Sequence, residues 1–335
     1  MTVLRAAIPF LLVAFLAVAA ESRYVWRTVA HLSHPPAGYA VEGATLFTWG
    51  NGIELRPLPD GAAQQIVPAD RSFGEGGCLL DVDGDGLTDL VLNQKNPDAL
   101  VWYRAPQWTR RVIDTGVDAP DIIAATLFGR RGVLLIHKRQ QVRFYAVPES
   151  RSASWPVRDI YSVYTPSWQG GLAAADIDGD GRTDILCGNY WIRAPESFDL
   201  PWRLFAINTW TEEEASGMMR LAWNGGLGVA QRLLENARVA WFEKPADPTQ
   251  LWTVRVLGGF DRPNSLEGVD LDGSGHAGLL LAENGGRGRV LYLRGNDFEA
   301  RELRVGPPVR FAHALAGGDL LVFTAGSIEY GRPAR

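Results

Sequence analysis

Asp176-Ile-Asp-Gly-Asp-Gly-Arg-Thr-Asp184 is the stretch on which the reading of this sequence turns. Carboxylates stand at loop positions 1, 3, 5 and 9, and Gly181 at position 6 permits a sharp turn. That spacing lets a short loop wrap a hard, oxygen-seeking cation. The carbonyl of Arg182, at position 7, is the natural backbone ligand. Ile185 and Leu186 follow at once and position 12 is Cys187, so the loop feeds a strand instead of a second helix. Asp184 closes the site. Four carboxylates this close repel one another unless a divalent ion neutralises them. The expected ion is calcium.

The loop recurs. Asp81-Val-Asp-Gly-Asp-Gly-Leu-Thr-Asp89 matches at every ligand position, giving Asp81, Asp83, Asp85, the Leu87 carbonyl and Asp89. Asp270-Leu-Asp-Gly-Ser-Gly-His-Ala-Gly278 keeps Asp270 and Asp272, with Ser274 at position 5 and the His276 carbonyl at position 7. Gly278 stands where the other loops close with Asp. A lone copy is compatible with a solvated turn, since turns favour Asp and Gly anyway. Two full copies and a worn third, starting 95 and 94 residues apart, form a repeat.

Each acidic loop marks every second unit of a shorter period. Strands opening on an aromatic residue begin at Trp108, Trp155, Trp202, Trp252 and Phe298, spaced 47, 47, 50 and 46 residues apart. Trp26 opens an early copy, and Gln64-Gln-Ile-Val is a worn one, making seven. A second aromatic strand precedes most of them, as in Val101-Trp-Tyr-Arg-Ala-Pro106 and Tyr190-Trp-Ile-Arg-Ala-Pro195, where the proline ends pairing. Between these lie Ala/Gly-rich pairs of apolar strands, such as Gly77 to Leu92 and Gly171 to Leu186. Four short strands per 40–50 residues, repeated, predict an all-β, seven-bladed β-propeller of four-stranded blades. The strand near Trp26 is expected to join the last unit, Ala312 to Tyr330, and close the ring, which removes edge strands.

Residues 1–20 are expected to lie outside the fold as a signal peptide. Arg5 precedes an apolar run from Ala6 to Ala20 with small residues at Ala17 and Ala19, placing cleavage near Ala19/Ala20. The run is shorter than the ~20 residues a membrane span needs. The expectation is export, either secreted or periplasmic, of a single domain over residues 21–335 with no membrane span. The net charge of −5, with no basic stripe interleaved with aromatics, argues against nucleic acid as a partner. Glu212 to Glu214 reads as a solvated acidic face. Cys78 and Cys187 flank different loops, three residues before one and three after the other, and are read as buried free thiols.

The loops Asp81–Asp89 and Asp176–Asp184, with their companion Trp-aromatic…Pro…Trp elements, resemble the FG-GAP/VCBS repeat family. That resemblance implies a secreted or cell-surface propeller in which such loops hold calcium. The expected function is that of a monomeric binding scaffold whose partner is an extracellular or periplasmic protein or a glycan. One enzymatic relative with similar repeats, the aldos-2-ulose dehydratase type, suggests the alternative of a carbohydrate lyase or isomerase acting at the channel mouth. The cupin-like second domain of those enzymes has no counterpart here. Acid/base candidates near the inner strands are Glu75, Glu267 and His313. Trp168 and Trp223 are candidates for stacking on a sugar or a partner's apolar anchor. The five histidines show no HExxH or paired spacing, so a zinc hydrolase is unsupported.

Overall fold

The computed structural model describes residues 24–138, 140–150, 153–162, 171–209, 219–271, 273–276, 278–294 and 298–334. The expected signal peptide, Trp168, Asp272 and Glu212 to Glu214 lie outside the described residues. Among the described residues the chain is all β apart from one short 3-10 turn at Ala316–Gly318, and its strands form six antiparallel sheets.

One sheet closes through β1 (Tyr24–His31), which pairs with a strand some 300 residues further along the chain. The next contains six strands: β2 (Gly38–Glu42), β3 (Thr45–Pro57), β4 (Gln64–Leu80), β5 (Asp89–Lys95), β6 (Ala99–Arg104) and β7 (Thr109–Thr115). β8 (Ile122–Leu127), β9 (Arg130–His137), β10 (Gln141–Ala146) and β11 (Val157–Ser162) make the third sheet. The fourth holds β12 (Leu172–Ala175), β13 (Asp184–Cys187), β14 (Tyr190–Arg193) and β15 (Arg203–Ala206). β16 (Met219–Trp223), β17 (Leu227–Gln231), β18 (Ala237–Glu243) and β19 (Thr253–Phe260) form the fifth. β20 (Pro263–Gly268), β21 (Leu279–Glu283), β22 (Gly288–Arg294) and β23 (Glu299–Gly306) form the sixth. Finally β24 (Val309–Ala314), β25 (Leu320–Thr324) and β26 (Ser327–Pro333) complete the sheet that β1 closes, with Tyr24 opposite Pro333 and His31 opposite Ser327.

The six-stranded sheet has two parts. β4 pairs with β3 through Gln64 to Ser72 and with β5 through Ser72 to Leu80. β3 is itself folded back, since the amide of Leu58 donates to the carbonyl of Ala44 at 2.6 Å.

The apolar residues of the inner strands pack between sheets. Val91, Leu100 and Trp102 meet Val133, Leu135 and Tyr145. Leu134, Ile136 and Phe144 meet Ile185, Ile192 and Trp202, and the pattern continues sheet to sheet. It returns to its start where Phe311, Leu321 and Phe323 pack with Leu46, Tyr39 and Val41. A further cluster lies inside the six-stranded sheet, between Phe47, Trp49 and Ile53 on one side and Leu90, Leu92 and Val101 on the other. Trp102, Trp191, Trp202, Trp241 and Trp252 are all buried in these seams.

The strands expected to open on Trp108, Trp155, Trp202, Trp252 and Phe298 begin one or two residues later, whereas that of Trp26 begins two residues earlier, at Tyr24. Trp108 and Phe298 have φ of 54° and 48°, a left-handed turn residue that the ladder cannot include. The Gly-rich inner strands allow close approach. A Cβ at Gly38 would lie 2.5 Å from the Trp49 ring and 2.6 Å from the carbonyl of Glu75, and one at Gly77 would lie 2.7 Å from that same ring. Both cysteines are free and buried, and burial pushes each thiol up to about 12.

Candidate functional site

The acidic loops join the inner strand of a sheet to its neighbour, so they sit where inner strands end. In the first, oxygens of Asp81, Asp83 and Asp89 lie within 4.8 Å of one another, and in the second those of Asp176, Asp178 and Asp184 do the same. The backbone shapes each loop around its first aspartate. Gly84 and Gly86 amides donate to Asp81 at 2.8 and 3.1 Å, and Gly179 and Gly181 to Asp176 at 2.8 and 2.9 Å.

The closing aspartates tie loop to sheet. Asp89 accepts from the amides of Val82 and Ala105, and Asp184 from those of Ile177 and Ala194. Both are fully buried, and burial raises their carboxyls, that of Asp184 to about 6. Position 5 behaves differently. Asp85 accepts from its own loop at the Leu87 amide and from Arg104 at 2.7 Å, and Arg104 also pairs with Asp83. In the second loop Arg193 contacts Asp178 at 2.6 Å and Asp180 at 3.6 Å. A strand-end arginine thus grips the outer side of each acidic cluster.

The donor set fits a hard divalent cation. Each cluster offers oxygen alone, and Oδ1 of Asp178 is buried with no hydrogen-bond donor. The third loop is built otherwise. Ser274 and Gly275 amides still donate to Asp270, and the His276 amide donates to Ser274. Where Val82 and Ile177 donate to a closing carboxylate, Leu271 donates to the Tyr292 hydroxyl at 3.1 Å. Tyr292 takes the strand position of Trp102 and Trp191, and a Cβ at Gly278 would collide with its ring. Tyr292 thus takes, in the third loop, the hydrogen-bonding place that the ninth-position aspartate has in the other two.

At the other end of the inner strands lies a cavity of about 370 Å³. Each of β2, β4, β8, β12, β16, β20 and β24 contributes to its wall, so it is the central channel of the ring. A polar network crosses it. Glu75 receives both terminal nitrogens of Arg232 at 2.6 and 2.5 Å, although Arg232 follows β17, three sheets further round. Arg220 on β16 reaches Asp121 at 3.2 Å and Glu75 at 3.4 Å, while Asp121 accepts from the Gly171 amide. Asn264 accepts from Arg232 and donates to the Arg310 carbonyl, linking β20 to β24. Burial alone would raise the Glu75 carboxyl, but the hydrogen bonds and charge of Arg232, with Arg220 and Arg310, hold it below the usual range.

The sequence candidates fall in different places. Glu267 and His313 form a pair, His313 Nδ1 lying 3.1 Å from Glu267 Oε2, which also accepts from the Ala314 amide. Tyr39 packs edge-on against His313. Glu75 lines the same cavity as His313 but belongs to the arginine network. Trp223 packs with Trp252 in the seam between the fourth and fifth sheets, ring centroids 6.0 Å apart. Sequence reading missed Trp49, whose indole N–H donates to the carbonyls of Gly74 and Glu75 at 3.1 and 3.2 Å and so positions Glu75. It also missed Asp121, Arg220, Arg232 and Arg310, which carry no local motif.

An FG-GAP repeat matches residues 169–191, which span the second acidic loop. The solved structures the chain resembles are β-propellers. A streptogramin B lyase structure superposes with TM-score 0.63 at 10% identity, covering 93% of this chain and 99% of that one. YCF48 from Cyanidioschyzon merolae gives 0.57 at 9% identity over 92% and 99%. The extracellular domain of a B. thetaiotaomicron protein described as a hybrid two-component system gives 0.63 at 13% identity, over 92% of this chain and 39% of that one. No curated protein sequence matches. The class of protein is therefore an all-β propeller carrying an FG-GAP repeat.

Proposed function

We propose that this chain is an exported, seven-bladed propeller that holds calcium in the loops at Asp81 and Asp176 and serves as a binding scaffold for a protein or glycan. The count of seven is supported by dividing the six-stranded sheet within β4, which makes the cluster around Trp49 and Leu92 one more interblade seam. Export is supported by the apolar run at residues 6–20, and single-domain organisation over residues 21–335 by the continuity of the seams. That YCF48 also forms a structure with a D1 peptide bound makes peptide recognition a reasonable use of such a ring. The observation that carries the calcium reading is the convergence of three carboxylates in each of two loops.

Thermal unfolding of the purified protein tests the metal. At Kd values of roughly 10⁻⁴–10⁻³ M, 10 mM calcium adds about 1.4–2.7 kcal/mol per occupied site. Calcium is expected to raise the unfolding temperature above that in chelator, and magnesium to reproduce little of the rise. Equal curves in calcium, magnesium and chelator, with no calcium in elemental analysis of the untreated protein, contradict it. Arrays of peptides and glycans probed in calcium test the scaffold role, which predicts selective binding to at least one class.

A further inference from the structure

The seams beside the two full acidic loops share one register but are filled differently. Gly132 lies opposite Ala125 and Ala146, as Gly228 lies opposite Ala222 and Trp241, so the third and fifth sheets align at these glycines. In that alignment Trp223, Leu227 and Phe242 correspond to Thr126, Arg131 and Val147. Beside the second loop, Trp223, Leu227 and Phe242 fill the seam against Ile177, Trp191 and Trp252. Beside the first, the smaller or polar trio leaves a cavity of about 660 Å³. Its apolar lining includes Val82, Trp102 and Trp155, the counterparts of Ile177, Trp191 and Trp252. Arg131 does not plug it, because its guanidinium turns to the Asp81 carbonyl at 3.0 Å. Arg130 and Glu149, both exposed, complete the rim, while Asp83 in the same wall is taken up by Arg104. Past Arg130 the cleft continues into a hollow of about 320 Å³ that shares Arg130, Ala146 and Pro156 and adds Phe144 and Phe198.

We infer that this cleft binds a neutral glycan chain, one pyranose ring lying over Trp155 and the next in the second hollow. Both volumes lie within the ordinary range for small-molecule sites. The walls are flat and stiff, made chiefly of indole and proline rings, and such surfaces give contact area at little entropic cost. A pyranose offers them its C–H face. Its hydroxyls both donate and accept, so one ring edge can serve the Glu149 carboxylate and the Arg130 and Arg131 guanidiniums together. A purely apolar ligand would strip water from those charges and return nothing. Two hollows end to end favour a chain over a compact ligand. Pro148 and Pro156 lack the amide that an extended peptide would pair with, which favours sugar over peptide. The inference rests on the reading of the ring as a binding scaffold and names its ligand class.

Isothermal titration in saturating calcium, with cellotetraose, maltotetraose, chitotetraose and mannotetraose as probes, tests it. At least one should bind, and its monosaccharide about tenfold more weakly, since the second hollow is then empty. The double variant Arg131→Leu, Val147→Phe gives the first seam the residues that close the second. It should weaken the sugar about tenfold or more while keeping or raising the unfolding temperature, because the cavity is filled with apolar side chains. Glu149→Gln, at an exposed position, should weaken it about threefold without change in stability, and decides the matter should the double variant fail to fold. No heat with any of the four sugars, or full affinity in the folded variants, overturns the proposal. So does a peptide that binds in place of every sugar and is lost in the double variant. A glycan or peptide bound equally by wild type and both variants overturns this site while leaving the scaffold reading intact.

Discussion

Glu75 shows how much one side chain does in a ring. Its carboxylate receives Arg232 from three sheets away, and its carbonyl receives the Trp49 indole from the preceding part of its own sheet. Removing it would leave Arg232, which is 5% exposed at its side chain, as an uncompensated buried charge. Glu75→Gln should therefore lower stability near neutral pH by about 2–4 kcal/mol, the range for breaking a largely buried pair. The pH dependence has a definite sign. A carboxyl held below its unfolded value contributes stability fully above that value, here the ordinary 4.5, and loses it as pH falls through the depressed folded value. The stability gap between wild type and Glu75→Gln should thus be constant from pH 7 to about 5 and shrink below 4.5. Denaturant melts of both proteins across that range measure it, and a gap that widens on acidification refutes the account. The buried closing carboxyls of Asp89 and Asp184, raised in the fold, contribute a pH dependence of the opposite sign, but equally in both proteins.

At the scale of strands and loops, the strand-end arginines set how the acidic clusters meet a cation. Arg104 leaves β6 and holds Asp85, together with Asp83, while Arg193 leaves β14 and does the same at Asp178 and Asp180. A guanidinium beside a cation site repels the ion and engages one carboxylate that might otherwise coordinate it. Arg104→Gln should tighten calcium binding roughly tenfold at the first loop and lower the unfolding temperature in chelator, since the carboxylates lose their counter-ion. A terbium luminescence titration reads the first effect and a chelator melt the second. Weaker ion binding in the variant would mean that Arg104 orients the ligands. The loops were legible because their chemistry is local: nine consecutive residues specify turn, ligands and strand. Even the altered third loop carries its own signal, Tyr292 standing where Trp102 and Trp191 stand. Strand starts at Trp108 and Phe298 were displaced because an aromatic residue with positive φ ends a turn instead of opening a ladder.

For the whole molecule, the channel site could not have been read from the sequence, because Glu75 and Arg232 are 157 residues apart and Asp121 and Arg220 are 99 apart. Only ring closure brings them together, so the site should be as strong as the closure is. Closure depends on β1. Its ladder to β26 runs from Tyr24 to His31, its Trp26 indole donates to the Leu303 carbonyl, and Tyr24, Trp26, Val29 and Ala30 fill the seams on either side. Without β1, the outer edge of β26 presents unpaired N–H and C=O groups, the condition that promotes pairing between chains. Taking ~1.5–3 kcal/mol for a fully buried large side chain and about half of that for each of the partly buried Tyr24, Trp26 and Val29, deletion of residues 1–31 should cost about 2–5 kcal/mol. It should also raise the fraction of aggregates seen by light scattering. A synthetic peptide covering residues 21–34, added in trans, should pair with β26 and recover part of the lost unfolding temperature. The same peptide bearing proline in place of Trp26 and Thr28 should not, because proline removes ladder donors. If the deleted protein shows no added aggregation and keeps its unfolding temperature, the ring does not depend on β1, and the channel network is held by the inner strands alone.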